Sequence, residues 1–230
     1  MLRMEKPSCY ILSGLGADER VFDRIDFGSY KPVFIPWEPV RADQSFESYV
    51  KQLAANVQTP HPILIGISFG GIVAQEMSAL FDHCPVLILA SVRTRDGIPA
   101  WMRICGKLGL QQFIPVKKIL RNKKANHWFF GAKTEVEKTI LNQILANSDP
   151  FFTKWAIHRI VTWKRKQTVP ARVLHIHGTN DRIFRIGKQT PDYLVPGGTH
   201  LMTVSMHQTL SALIQEAIDT LSAEINPVQQ

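Results

Sequence analysis

The chain has 230 residues, 45% of them apolar and 20% charged, a balance that suits one globular domain with a full core and excludes a disordered chain. The net charge of +8 is unevenly spread: residues 93–166 hold sixteen Lys and Arg against four Asp and Glu, and the rest of the chain is net acidic. No stretch approaches the roughly 20 apolar residues of a spanning helix, and the first seven residues lead into an apolar run too short for a secretory signal.

Short apolar runs alternate with helical patterns through the first half, as expected of a parallel sheet with helices on both faces. Cys9-Tyr10-Ile11-Leu12 reads as a strand that ends in the turn Ser13-Gly14-Leu15-Gly16, and Val33-Phe34-Ile35 reads as a second strand stopped by Pro36. Phe46, Tyr49, Val50 and Leu53 recur at helical spacing behind Ser45, a good N-cap residue. Ile63-Leu64-Ile65 is a third strand, followed by a helix with Ile72, Val73, Met77 and Leu80 on its apolar side. Val86-Leu87-Ile88-Leu89-Ala90 is a fourth.

The rhythm then changes. Between Arg93 and Thr168 only helix signals occur: Thr134-Glu135-Val136-Glu137 has the form of a capping box, and Asp149-Pro150 pairs an N-cap residue with proline at the first helical position. The strand-helix alternation resumes at Ala171-Arg172-Val173-Leu174-His175-Ile176-His177-Gly178. It continues with Tyr193-Leu194-Val195 and a last amphipathic helix marked by Leu210, Leu213, Ile214, Ala217 and Leu221. The reading is a core of residues 1–92 and 169–230 with an inserted helical segment, 93–168. Cys9, Cys84 and Cys105 are scattered and form no C-x-x-C pair, which predicts free thiols in a reducing cytoplasm, with Cys9 a core residue and not a nucleophile.

Gly66-Ile67-Ser68-Phe69-Gly70 matches G-x-S-x-G between a strand and a helix, the context in which that motif makes a nucleophile elbow. A serine on so sharp a turn needs small neighbours two positions away, and Gly66 and Gly70 supply them. A phosphate-binding turn is the competing reading, but neither a Walker lysine nor G-x-G-x-x-G spacing accompanies it. Serine needs a base, and the base needs a partner that fixes its tautomer. Asp181 follows one strand in His177-Gly178-Thr179-Asn180-Asp181, and His200 follows the next in Pro196-Gly197-Gly198-Thr199-His200. Asp96, soon after the fourth strand, is the alternative acid. His175 and His177 share a strand face and could suggest a metal pair; without a third ligand at useful spacing they read as structural. The backbone N–H groups of Leu15 and Phe69 are placed by loop position to donate to an oxyanion.

These motifs together resemble the α/β-hydrolase superfamily over nearly the whole chain, in the compact version without two leading antiparallel strands. The short oxyanion loop, the helical insertion and the Gly-Gly-Thr-His loop are similar to those of small cytoplasmic carboxylesterases, including the pimeloyl-carrier methyl ester esterase group. The resemblance implies a mostly parallel sheet of about six strands flanked by helices. It also implies cleavage of an ester or thioester with Ser68 as nucleophile, His200 as base and Asp181 as orienting acid, and no metal or organic cofactor. Many members carry His-Gly where this chain has Ser13-Gly14, so the oxyanion amide carries over but the substrate type does not.

In such proteins the insertion is a lid. Here it holds Trp101, Phe113, Trp128, Phe129, Phe130, Phe151, Phe152, Trp155 and Trp163, some expected to pack the lid on the core and others to line an acyl pocket. Its positive charge reads as solvated helix faces, as steering of an anionic substrate or acidic carrier protein, or as attraction to an anionic membrane surface. No nucleic-acid motif accompanies the charge, and no integral membrane segment is expected. The expected activity is hydrolysis of a small ester or thioester. A ligand-binding protein with little turnover, or a lyase on the same scaffold, is the alternative.

Overall fold

The computed structural model describes residues 7–82, 84–166, 171–187 and 189–225. Residues 1–6 of the N-terminal reading and the 168/169 boundary lie outside them. Six strands, β1 (Cys9–Leu12), β2 (Pro32–Phe34), β3 (Ile63–Ile67), β4 (Val86–Leu89), β5 (Val173–Gly178) and β6 (Tyr193–Val195), form one sheet in the order β2-β1-β3-β4-β5-β6. Every neighbouring pair is parallel. The register sets Leu12 beside Gly66, Ile67 beside Leu89 and Gly178 beside Val195, so the carboxyl ends of the inner strands share one rim. The chain runs from β1 outward to β2 and returns on the other side of β1 as β3. That reversal opens a crevice between the ends of β1 and β3, where open α/β sheets bind ligands.

The apolar runs are continuous because both sheet faces are covered. Cys9, Ile11, Ile63, Ile65, Leu87, Leu89, Leu174 and Ile176 pack on one face, against the long last helix α9 (His207–Ile225). Tyr10, Leu12, Leu64, Val86 and Ile88 point to the other, under α1 (Phe46–Ala54) and α2 (Phe69–Ser78). Ser45 caps α1 by accepting from the Ser48 amide. Several element ends differ from expectation, most visibly at β2 and α2. The second strand spans Pro32–Phe34, a first strand position on a sheet edge where proline's missing N–H costs nothing. The helix after β3 ends at Ser78, which leaves Leu80 beyond it and exposed.

Between β4 and β5 the described residues hold helices and no strand: α3 (Ala100–Lys107), α4 (Val116–Arg121), α5 (Lys123–Phe130), α6 (Glu135–Asn147) and α7 (Pro150–Thr162). Thr134 and Glu137 close the capping box of α6, and Asp149 caps α7 ahead of Pro150. The aromatic residues divide, with Phe130 half-buried between the two groups. Phe152, Trp155 and Trp163 are buried, whereas Trp101, Phe113, Trp128, Phe129 and Phe151 are exposed. Phe152 and Trp155 join Trp37, Phe46, Tyr49 and Phe69 in one aromatic cluster that fastens α7 to α1 and α2. Arg165 reinforces the attachment through a two-pronged bond to Glu76 on α2, with both N···O distances 2.7 Å. A short helix α8 (Met202–Ser205) precedes α9.

Candidate active site

Ser68 sits between β3 and α2 at φ 55°, ψ −118°, a left-handed conformation that a non-glycine residue adopts only under strain. Close packing enforces it. A side chain at Gly66 would run into the backbone of Gly70, and one at Gly70 would strike the carbonyl oxygens of Leu12 and Ser13. The Ser68 amide donates to the Leu89 carbonyl (2.9 Å), while the Ser68 carbonyl accepts from the Gly71 amide (3.0 Å) and the Ser91 hydroxyl (2.7 Å). Gln75 on α2 ties the Gly71 and Val92 carbonyls together from beneath.

His200 Nε2 lies 2.9 Å from Ser68 Oγ and His200 Nδ1 lies 2.7 Å from Asp181 Oδ2. The three residues are 5%, 9% and 4% exposed, so these bonds are largely shielded from water. With Nδ1–H donating to the carboxylate, Nε2 presents its lone pair to the serine O–H. The other oxygen, Asp181 Oδ1, accepts from the Ile183 and Phe184 amides at 2.8 and 2.9 Å. Burial pushes the Asp181 carboxyl upward in pKa. Charge and hydrogen bonding from His200, the charge of His177 and the Phe184 amide together outweigh burial and hold it below the usual carboxylate value. Asp96 takes no part; its carboxylate accepts from Arg103 at 2.7 Å.

His175 and His177 face the acid loop from β5. His175 Nε2 is 3.1 Å from His177 Nδ1, and His177 Nε2 is 2.7 Å from the Phe184 carbonyl. The consistent pattern has each Nε2–H donating outward, so the pair clamps the loop whose amides hold Asp181. Burial, followed by the charges of His177 and Arg93, drives the His175 pKa well below the free-histidine value. The His177 pKa is also lowered, chiefly by burial. Neutral imidazoles suit this role. Among the described residues no cluster of three or more His, Cys, Asp or Glu is arranged to hold a metal. Burial pushes the Cys9 and Cys84 thiols up to about 12, which leaves them protonated and inert.

The turn after β1 approaches the elbow closely enough that a side chain at Gly14 would touch the Ser68 Cβ. Ser13 Oγ donates to the Ala17 carbonyl (2.5 Å) and Trp37 Nε1 to the Gly14 carbonyl (3.0 Å), which fix the turn from inside. Among the described residues neither the Leu15 nor the Phe69 N–H has a backbone acceptor, as befits donors facing a ligand site.

The segment between β4 and β5 bonds to three loops: the turn after β1, the acid loop and the histidine loop. Ser148 donates to the Gly16 carbonyl (2.9 Å), the Phe130 carbonyl accepts from the Leu201 amide (3.2 Å), and the Trp128 carbonyl accepts from Arg182 (2.6 Å). The Phe130 and Phe184 rings meet the His200 imidazole edge-on at 5.5 and 5.8 Å. The structure brings together the three side chains expected from the sequence, Ser68, Asp181 and His200, and adds Ser91, Gln75 and Ser148, which the sequence did not single out. Ser91 alone carried a local signal, as a polar residue directly after a buried strand at the same rim. Beside the acid and histidine loops lies a cavity of about 370 Å³, lined by Asn180, Arg182, Thr199, Lys124, Lys133 and His127 among others.

A sequence model described as "Alpha/beta hydrolase family" matches residues 7–213. No curated protein matches the chain. Solved structures superimpose over most of it. A protein described as an aryl esterase from Burkholderia cenocepacia covers 94% of this chain and 91% of its own, with a TM-score of 0.71 at 12% identity. The N-acyl homoserine lactonase AidH covers 95% and 91%, with 0.67 at 14%. An esterase from Exiguobacterium antarcticum covers 93% and 92%, with 0.67 at 14%. At these identities the likeness is one of fold.

Proposed function

The chain belongs to the alpha/beta hydrolase family, and from that footing we propose that it is a serine hydrolase cleaving small carboxylic esters or thioesters through an acyl-enzyme on Ser68. One observation carries the proposal: the strained Ser68 hydroxyl, the His200 imidazole and the Asp181 carboxylate form a single buried hydrogen-bonded chain.

Ser68 Oγ attacks the carbonyl carbon as its proton passes to His200 Nε2. The developing oxyanion takes hydrogen bonds from the Leu15 and Phe69 amides, which were fixed in place before reaction. The bond to the leaving oxygen or sulfur then breaks, and His200 returns the proton to that atom. The acyl group is now an ester of Ser68. Water repeats the sequence, giving its proton to His200 and releasing the carboxylic acid and free Ser68. Asp181 stays ionised throughout and stabilises the imidazolium in each half.

Residues 93–168 act as a lid over a core of residues 1–92 and 169–230, a reading supported by the bonds from Phe130, Trp128 and Ser148 to the three site loops. The cations beside the acid loop favour an anionic substrate or an acidic carrier protein. If so, kcat/KM for an anionic ester falls with added salt while a neutral ester is unaffected; equal dependence rejects that preference.

Purified protein should hydrolyse p-nitrophenyl acetate or butyrate, with a thioester panel defining the leaving group. Ser68→Ala and His200→Ala should each lower kcat by several orders of magnitude, up to about 10⁶ by comparison with other triads. Ligand binding without hydrolysis by the wild type would leave a binding protein instead. Hydrolysis undiminished in Ser68→Ala would remove the serine from the chemistry.

A further inference from the structure

From Gly97 to Thr134 the sequence has eight Lys and Arg and no Asp or Glu. The same stretch holds eight of the thirteen large apolar side chains exposed among the described residues. Five of the eight lie on α3 and the turn that follows it: Trp101, Ile104, Leu108, Leu110 and Phe113, the last 82% exposed. Trp101, Ile104 and Leu108 are spaced i, i+3, i+7, which aligns them on one helix face.

That face is not what holds α3 in place. The opposite side does so, where half-buried Met102 lies and where Gly106 approaches so closely that a side chain there would strike the Val161 carbonyl of α7. The outer stripe is therefore apolar surface turned to solvent, with Lys107, Lys117, Lys118 and Arg121 exposed along the same segment.

We propose that the α3 face and the turn after it dock on an anionic lipid bilayer, with Trp101, Ile104, Leu108, Leu110 and Phe113 entering the headgroup-acyl boundary and the surrounding lysines and arginine meeting lipid phosphates. The chemistry selects this partner. An interfacial surface combines an apolar, aromatic-bearing face with Lys and Arg whose stems bury while their charges stay in the headgroups. Protein interface cores are depleted in lysine, and nucleic acid gains little from exposed Ile and Leu. The inference stands apart from the hydrolysis reading, because none of these side chains belongs to the Ser68 site.

The test is co-sedimentation of the full chain with extruded vesicles of phosphatidylcholine containing phosphatidylglycerol, and of phosphatidylcholine alone. Binding should favour the anionic vesicles and weaken with salt. The Trp101→Ser/Phe113→Ser double variant should bind them at least about tenfold more weakly, as loss of two inserted aromatic side chains implies. Its melting temperature and its rate on a soluble ester should match those of the wild type. Lys117→Gln/Lys118→Gln should lower anionic binding and remove part of the salt dependence. Failure of the wild type to sediment with anionic vesicles overturns the proposal, as does a double variant that binds like the wild type. A concentration-dependent dimer in analytical ultracentrifugation, abolished by the same double variant, also overturns it and assigns the face to a second copy of the chain.

Discussion

At Asp181 one carboxylate does two jobs with two oxygens. Oδ2 lies 2.7 Å from His200 Nδ1, and Oδ1 accepts from the Ile183 and Phe184 amides of the turn that carries the residue. Asp181→Asn keeps the shape and the acceptor for the turn, but its amide can present N–H to Nδ1 and so select the unreactive tautomer. The expected result is a fall in kcat of about 10⁴ with near-normal folding by circular dichroism; a loss under tenfold would remove Asp181 from the orienting role. Ser68, Asp181 and His200 were legible because each ends a strand-loop unit bearing small residues. Their supports were not. Ser148 reaches the Gly16 carbonyl from 132 residues away and Ser91 reaches the Ser68 carbonyl from 23, and a hydroxyl carries no mark of its partner until the fold is known.

Among the elements, the β3-turn-α2 unit is the tightest. Gly70 lies against the Leu12 and Ser13 carbonyls, so α2 can begin only where its backbone meets the end of β1. Gly70→Ala should destabilise the protein by about 1–3 kcal/mol in urea unfolding, since the neighbours are backbone and cannot turn aside. It should also shift the β1 turn and lower kcat. A variant as stable and active as the wild type would contradict the close approach. The inner strands could be read from sequence because burial on both faces leaves an unbroken apolar run. β2 was read one residue late because an edge strand is half-exposed, with Val33 at 45%. The helices between β4 and β5 were legible from their caps, but not the sides they present. Adjacent Phe151 and Phe152 differ only in facing, one exposed and one buried, and α3 is apolar on both sides.

For the molecule as a whole, buried imidazoles tie stability to pH. His175 is fully buried with a pKa well below 6.5, and that of His177 is also lowered. Both stay neutral in the fold while the unfolded chain protonates them. Their contribution is complete above about pH 6.5 and declines as the pH falls below it, by at most about 1.4 kcal/mol per pH unit for each group. The Asp181 pKa is lowered as well, so its contribution persists to lower pH and is lost below about 3.8 as the carboxylate takes up its proton. His175→Gln keeps a donor for His177 but does not titrate. Urea unfolding at pH 7 and pH 5 should therefore show a smaller acid loss in this variant than in the wild type. An unchanged loss would show that His175 is not held neutral.

The proposed hydrolysis passes through a covalent bond at one oxygen, Ser68 Oγ. Rapid quenching of the protein with excess p-nitrophenyl acetate, followed by peptide mass spectrometry, should find one acetyl group, on Ser68. The adduct should be missing from Ser68→Ala and should accumulate when His200→Ala slows its hydrolysis more than its formation. Steady hydrolysis with no adduct at Ser68, or with an adduct elsewhere that survives Ser68→Ala, would contradict it.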